Sequence, residues 1–266
     1  MKRLPLPLWL ISAFLYIFMY APIVVVIIFS FNSAKHGGPW MGFTTEWYGK
    51  LLDSHDKIVA TQNTVVLAVV STLVATVLGT MLGYGLSRYW FPGKKLFSLM
   101  MYIPVVIPDI VMAVAMLAFF KLMGDLLEWF NMGLTTMTIA HITFQIPFVA
   151  IVVRSRLVGM DPAVEEAAHD LGASTWQTFW SVTFPLMLPG VLAGGMLAFT
   201  LSLDDFVVSF FTTGPGATTL PILIYSSVKR GITPDINALS TLIVLASVIG
   251  TIGVAVLQRP RQPSGG

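Results

Sequence analysis

Long apolar runs with few or no charged side chains are the feature that most constrains how this chain folds. A helix needs about 20 mostly apolar residues to cross a bilayer. Only 11% of the 266 residues are Asp, Glu, Lys or Arg, whereas an ordinary soluble domain has about 25%. Six runs are long enough, and they predict an all-α membrane protein with six transmembrane helices, because helices satisfy their own backbone hydrogen bonds in lipid. The runs are Leu8–Phe29, Ile58–Ser87, Leu96–Phe120, Trp129–Val153, Phe184–Phe210 and Ile236–Gln258.

The composition and the missing motifs exclude several classes of protein. A net charge of +2, spread along the chain, does not favour a nucleic-acid partner. The absence of Cys excludes a disulfide framework and Cys-based metal or redox sites. A Gly93-Lys94 pair is present, but Arg88 and Lys95 stand where a phosphate-binding loop needs Gly and Ser or Thr. No nucleophile motif such as G-x-S-x-G occurs. We therefore expect neither an enzyme nor a cofactor bound by this chain.

The distribution of Lys and Arg predicts the orientation. Six spans put both termini on one side, and positive residues concentrate on the cytoplasmic side. With the termini inside, the inner segments hold nine Lys and Arg residues and the outer segments hold six. The inner group Arg88, Lys94 and Lys95 has no acidic neighbour, so we predict cytoplasmic termini. The outer stretch from Asn32 to Thr61 contains Trp40, Trp47 and Tyr48, which predict a short helix at the membrane interface.

The inner loop, residues 154–183, predicts two short helices. Asp161 followed by Pro162 is typical of a helix start, and Gly172 of a helix end. Ser174 with Gln177 has the spacing of a capping box and predicts the second helix. Pro185 then marks the expected entry to the fifth span.

The first helix of this loop is amphipathic. Its faces are an apolar one (Ala163, Val164, Ala167, Ala168 and Leu171) and a polar one (Glu165, Glu166, His169 and Asp170). Such a helix suits the groove of another protein. The alternative is a surface helix that packs on the inner end of its own helix bundle.

Three carboxylates fall inside the predicted spans without a Lys or Arg to neutralise them. They are Asp109 and the pair Asp204-Asp205. Because a charge in the membrane is costly, such residues normally face a cavity or a partner. We therefore expect them to line a translocation pathway that attracts cations. In the alternatives, Asp109 caps a helix broken after Pro104 and Pro108, and the pair lies in the outer interface.

Other polar and small residues in the spans favour packing roles. His141 has no second ligand near it, so a helix–helix hydrogen bond is favoured over a metal site. Gly79 with Gly83, and Gly190 with Gly194, have the four-residue spacing that permits close helix approach. The close approach serves either packing within this chain or packing against a partner subunit.

The inner loop carries a resemblance to a known family. Glu166-Ala167-Ala168, then Gly172, then Val182, Phe184 and Pro185, resembles the EAA loop of ABC-importer membrane subunits. The flanking segments extend it, so that nearly the whole chain resembles the second permease subunit of spermidine/putrescine importers. These segments are Ser30-Phe31-Asn32-Ser33, Pro108-Asp109-Ile110-Val111, His141-Ile142-Thr143-Phe144, Leu201-Ser202-Leu203-Asp204-Asp205 and Gly214-Pro215-Gly216.

The resemblance implies the fold, the partners and the coupling residues. It implies a type I ABC importer permease fold in a bacterial cytoplasmic (inner) membrane. It also implies a heterodimer with a second permease subunit, two ATPase subunits that carry ATP and Mg, and a periplasmic polyamine-binding protein. The residues expected to couple to the ATPase are Glu165, Glu166, Ala167, Ala168, Asp170, Gly172 and Pro185.

The sequence divides into three parts under this interpretation. Residues 1–57 hold the first transmembrane helix and the outer interfacial segment, 58–258 form a five-helix permease core with the EAA loop, and 259–266 form a disordered cytoplasmic tail. The function expected is that of a non-catalytic permease subunit of a putrescine/spermidine importer. The alternatives are an ABC permease for another small solute and a secondary transporter or channel.

Overall fold

The computed structural model describes residues 5–35, 37–127, 130–231 and 233–257, and every extended regular element in these ranges is a helix. A single antiparallel bridge joins Asn32 and Phe43. The helices are α1 Leu6–Phe29, α2 Glu46–Asp53, α3 His55–Arg88, α4 Lys94–Val106, α5 Asp109–Leu126, α6 Leu134–Val158, α7 Ala163–Asp170, α8 Thr175–Thr178, α9 Phe184–Asp204, α10 Val207–Thr212, α11 Leu220–Arg230 and α12 Pro234–Leu257. A π-helical turn, Phe179–Thr183, lies between α8 and α9.

The first compact unit consists of residues 1–58 and 224–266. In its described part, α12 packs against α1 and α2. The segment after α1 is organised by Asn32, whose Oδ1 accepts the N–H of Met41 at 2.9 Å and whose carbonyl accepts the Trp47 indole N–H at 2.7 Å. Asn32 is fully buried, so these bonds satisfy groups that water does not reach. The short helix predicted in this stretch is present as α2.

The second compact unit consists of residues 59–223 and has α6 at its centre. Helix α6 packs along α9 over a core of Val149, Val153, Leu157, Met187, Val191 and Ala198. Close approach to α6 is made possible by glycines on both of its neighbours. A Cβ built on Gly83 of α3 would lie 2.7 Å from the Ala150 carbonyl oxygen, and one on Gly190 of α9 would lie 2.8 Å from Arg156 Cβ. The paired glycines of the sequence therefore serve packing within this chain.

The third predicted span is interrupted, which corrects the expectation of one helix over Leu96–Phe120. Helices α4 and α5 meet at a bend of 107°. Ile107 and Pro108 both have extended backbone angles. Proline disfavours a helical conformation at the residue before it and has no N–H to donate, so the helix ends ahead of Pro108. Pro104, in contrast, lies inside α4.

The fifth predicted span differs at both ends from Phe184–Phe210. At its start, α8, the π-turn and α9 form one 30-residue helix, Thr175–Asp204, so Pro185 lies inside a continuous helix. The π-turn precedes Pro185, whose ring has no N–H for the regular ladder. At its end, the backbone becomes extended at Asp205 and a new helix, α10, begins at Val207. The loop's second helix is thus continuous with the span.

The apolar helices of the described chain are long enough for several membrane crossings. Four of them, α1, α3, α6 and the continuous Thr175–Asp204 helix, meet the length and composition of a span, and the bent α4–α5 pair makes a fifth if it counts as one. Helix α12 is apolar over Pro234–Ile249, which is shorter than these. Helix α6 begins at Leu134 rather than at Trp129. Trp129 and the tail 259–266 lie outside the described residues.

Candidate functional site

The three carboxylates predicted inside the membrane line one cavity. Asp109 is the first residue of α5, Asp204 is the last residue of α9, and Asp205 lies in the link to α10. The cavity has a volume of about 330 Å³, and none of the described residues that line it is basic. Three Phe rings contribute to its wall. The lining consists of Pro104, Asp109, Met112, Phe144, Phe148, Leu201, Asp204, Asp205, Phe206, Val207 and Val208.

Two helix breaks bring these carboxylates together. The turn at Ile107 and Pro108 puts Asp109 at the N-terminal end of α5, where the helix dipole favours a negative charge. Helix α9 ends at Asp204, so Asp204 lies at the end of the helix and Asp205 lies just outside it. The alternative for Asp109 assumed a broken helix, and that break is present, yet the residue also lines the cavity.

Asp205 is held by contacts within the chain. Its Oδ2 accepts the Ser209 N–H at 2.7 Å and its Oδ1 accepts the Val208 N–H at 3.3 Å. These bonds satisfy two N–H groups of the first turn of α10, which otherwise lack partners. The same carboxylate lies 3.4 Å from Nε2 of His141, and only 11% of its side chain is exposed.

His141 joins three helices through both ring nitrogens. It lies on α6 and is completely buried. Its Nδ1 is 2.8 Å from the hydroxyl of Ser202 on α9, and its Nε2 is 3.0 Å from the hydroxyl of Ser209 on α10. The predicted helix–helix hydrogen bond is therefore confirmed. Ser202 extends the network to Ser71 on α3, at 3.3 Å between the two hydroxyls.

Asp109 and Asp204 differ from Asp205 in their surroundings. Both residues are exposed in this chain. Within the described residues, no side-chain hydrogen bond or ion pair joins either carboxylate to another side chain. These two carboxylates are therefore available to a molecule that enters the cavity.

Both ends of the loop helix α7 are capped by the residues that the sequence predicts. Asp161 Oδ1 accepts the Ala163 N–H at 3.0 Å, as expected of a helix start. At the other end, Gly172 has a positive φ of 85°, and its N–H donates to the His169 carbonyl at 2.9 Å. The Ala173 N–H donates to the Ala168 carbonyl at 3.1 Å, and the two bonds together form a Schellman motif. The predicted capping box of Ser174 and Gln177 is also present.

The apolar face of α7 is exposed rather than packed on the bundle. No residue of α7 is buried, and Leu171, just after it, is 89% exposed. Among the predicted coupling residues, those that are exposed are Glu166, Ala167, Asp170, Gly172 and Pro185, whereas Glu165 and Ala168 are half-buried. Helix α7 therefore contacts its own bundle through its half-buried residues, while most of its apolar face is exposed.

Glu165 and Glu166 point to different environments. One carboxylate oxygen of Glu165 accepts hydrogen bonds from Arg88, at the end of α3, and from the Thr183 hydroxyl, each at 2.9 Å. The Glu165–Arg88 pair is about one-fifth exposed on each side. Glu165 thus anchors α7 to the membrane helices, while Glu166 remains on the surface.

Several residues of the site were not found from the sequence. Ser202, Ser209 and Thr183 are hydroxyl residues in apolar helices, and such residues usually bond within their own helix. In the sequence, Arg88 is a topology signal and a departure from a phosphate-binding loop, and neither observation points to its contact with Glu165. A buried His within a span indicates that polar partners exist, but the sequence does not say which helices supply them.

Comparison with known proteins identifies the family. Residues 58–261 match the family described as binding-protein-dependent transport system inner membrane component. The chain is 41% identical to the spermidine/putrescine transport system permease protein PotC of Shigella flexneri, over 95% of this chain and 94% of that protein. It is also 41% identical to the putrescine transport system permease protein PotI of Escherichia coli K12, over 89% of this chain and 83% of that protein.

A solved structure shares the fold. The chain superposes on a bacterial ABC transporter involved in the import of the acidic polysaccharide alginate with a TM-score of 0.75, at 21% identity and with 96% of each chain covered. The predicted resemblance to ABC-importer membrane subunits, and the prediction of a transport subunit rather than an enzyme, are confirmed. The chain belongs to the family of inner-membrane components of binding-protein-dependent transport systems, and it is a multi-pass protein of the inner membrane.

Proposed function

We propose that this chain is a permease subunit of an ATP-driven importer of polyamines such as putrescine and spermidine. The observation that carries the proposal is the single cavity lined by Asp109, Asp204 and Asp205 without a basic residue among its described lining. The relatives that are 41% identical are named for spermidine/putrescine and putrescine transport.

The chemistry of the cavity fits a flexible polycation. A carboxylate inside a membrane span costs up to about 2.5–3.5 kcal/mol on insertion scales, so acids in such a position normally face a cavity or a partner. Polyamines carry two or more ammonium groups, which the carboxylates attract. The rings of Phe144, Phe148 and Phe206 offer faces on which an ammonium group is also stabilised.

Coupling to ATP hydrolysis is assigned to the loop that contains α7. We infer that this loop is an EAA loop and that its exposed surface, including Glu166, Ala167, Asp170 and Gly172, docks on an ATPase subunit. Ala168 accepts the Ala173 N–H at the end of α7, and Pro185 lies in the first turn of α9. Glu165 acts from within, because its contacts with Arg88 and Thr183 connect α7 to α3 and to the start of the fifth span.

The assembly follows from this assignment. We infer six transmembrane spans with both termini in the cytoplasm, and a permease core over 58–258; the family match, which begins at residue 58, supports that division. The partners are a second permease subunit, two ATPase subunits that bind ATP and Mg, and a periplasmic polyamine-binding protein. ATP binding closes the ATPase pair, the coupling loops move, and the cavity switches its access from one side to the other.

The substrate is tested by uptake of labelled putrescine and spermidine in cells that lack this gene. Wild-type plasmid restores uptake, whereas Asp109→Asn and Asp204→Asn reduce it. Asp125→Asn is the matched control, because Asp125 is exposed on the same helix as Asp109 but lies outside the cavity lining. If Asp109→Asn and Asp204→Asn take up polyamine as well as Asp125→Asn does, the idea of a cation pathway is refuted. If cells that lack the gene take up putrescine and spermidine normally, the proposed substrate is refuted.

The coupling is tested by copurification with the ATPase. Glu166→Ala is expected to abolish uptake and weaken ATPase association while the subunit still inserts in the membrane. Normal copurification with normal uptake would show that the docking surface lies elsewhere. Uptake driven by a proton or sodium gradient without any ATPase would identify a secondary transporter instead.

A further inference from the structure

The two neighbouring carboxylates Asp204 and Asp205 have unequal freedom to bind a cation. Asp205 already accepts two backbone N–H groups, at 2.7 and 3.3 Å, and faces His141 Nε2 at 3.4 Å. Its side chain is 11% exposed, whereas Asp204 is an exposed residue of the cavity. A carboxylate has about four lone-pair sites, so the two N–H bonds use about half of the accepting capacity of Asp205 within the chain.

His141 connects the two helices on either side of Asp205. The break between α9 and α10 interrupts the helical hydrogen-bond ladder at Asp205 and Phe206, so side-chain contacts hold the two helices in addition to the linking backbone. His141 contacts a hydroxyl on each of them, Ser202 before the break and Ser209 after it, at 2.8 and 3.0 Å. Because both ring nitrogens are engaged and the ring is completely buried, His141 does not itself reach the cavity contents.

We propose that His141 and Asp205 are positioning residues that set the break between α9 and α10, and that Asp204, with Asp109, supplies the carboxylates that contact the cationic cargo. This rests on the proposed function. The sequence motif Asp204-Asp205 thus combines two roles in adjacent residues. One residue faces the cargo, and the next holds the backbone that presents it.

The kinetic test compares the two acids in the complete complex reconstituted in vesicles, with labelled spermidine. Asp204→Asn is expected to raise the KM for uptake about tenfold to a hundredfold, the effect of losing one hydrogen bond to a charged group. Asp205→Asn and His141→Gln are expected to lower the maximal rate and leave KM near that of wild type. A rise in KM for Asp205→Asn equal to that for Asp204→Asn would overturn the proposal.

A double-mutant cycle tests the pairing without any cargo. The melting temperature of the purified complex should fall for Asp205→Asn and for His141→Gln, and the double variant should fall no further than the worse single variant. Asp204→Asn should combine additively with His141→Gln. Thr143→Ala is the control, and it should combine additively with Asp205→Asn. Thr143 is exposed on α6, two residues from His141, and among the described residues its hydroxyl bonds only to the Ile139 carbonyl of its own helix.

The two tests separate the inference from the proposed function. If the wild-type complex transports neither putrescine nor spermidine, the proposed function fails, while the cycle still decides the pairing. Additive losses for Asp205→Asn and His141→Gln would overturn the positioning role. Non-additive losses support it whichever cation is carried.

Discussion

Substitution of Gly83 by Ala tests how closely α3 approaches α6. A Cβ at Gly83 would lie 2.7 Å from the Ala150 carbonyl oxygen and 3.3 Å from Ala150 Cα. Both are backbone atoms, so no side chain can rotate to relieve the contact and the helices must separate. Gly85, two residues away on α3, is the matched control, because a Cβ there meets no atom within 4 Å.

The expected magnitude follows from the difference between the two variants. Replacing Gly by Ala inside a helix stabilises it by about 1 kcal/mol, and this gain applies to both positions. Overpacking of a well-packed interior costs about 1–3 kcal/mol, and this cost applies only at Gly83. Gly83→Ala should therefore be less stable than Gly85→Ala by about 1–3 kcal/mol. At about 2–4 °C per kcal/mol for a chain of this size, the melting temperature should be about 2–12 °C lower.

The assay is thermal unfolding of the detergent-solubilised complex, followed by the loss of monodisperse protein on heating. Membrane insertion of both variants is checked first, so that a difference in melting reports packing and not expression. Equal melting temperatures for Gly83→Ala and Gly85→Ala would refute the reasoning, because the α3–α6 contact would then have room for a methyl group.

Two further predictions concern the coupling loop. Glu165→Gln should lower polyamine-stimulated ATPase activity while the complex still assembles, because the ion pair with Arg88 that anchors α7 is lost. The double variant Glu165→Gln/Arg88→Met should be no worse than the single variant, and a further loss would show that the two residues act independently. Gly172→Ala should strain the loop by about 1–2 kcal/mol, since its φ of 85° is unfavourable for a residue with a Cβ, and uptake should fall without loss of insertion. Gly159→Ala is the control, because Gly159 ends α6 with a φ of −82°; equal uptake by the two variants would contradict the prediction.

The local features of this protein were readable from the sequence because they depend on residues close together in the chain. The uncharged runs predicted the long helices, since the length of an apolar run is itself the requirement for crossing a bilayer. Asp161, Gly172 and the Ser174–Gln177 pair predicted the ends of the loop helices, because a cap is formed within about four residues. The breaks between helices were harder to place from the sequence, because proline does not mark each of them in the same way. The chain bends at Pro108, whereas Pro104 and Pro185 lie inside helices.

The roles of individual polar residues were decided by tertiary contacts alone. His141 meets Ser202 across 61 residues, and Arg88 meets Glu165 across 77. Whether Glu165 or Glu166 faces outward, and whether Asp204 or Asp205 is free, depends on which other helix lies beside each one. Residue types and local spacing determined that the chain spans a membrane and carries acids within it. Only the packing of helices distant in sequence decided which of those acids are satisfied internally and which remain open to a cation, because burial and hydrogen-bond partners arise from that packing.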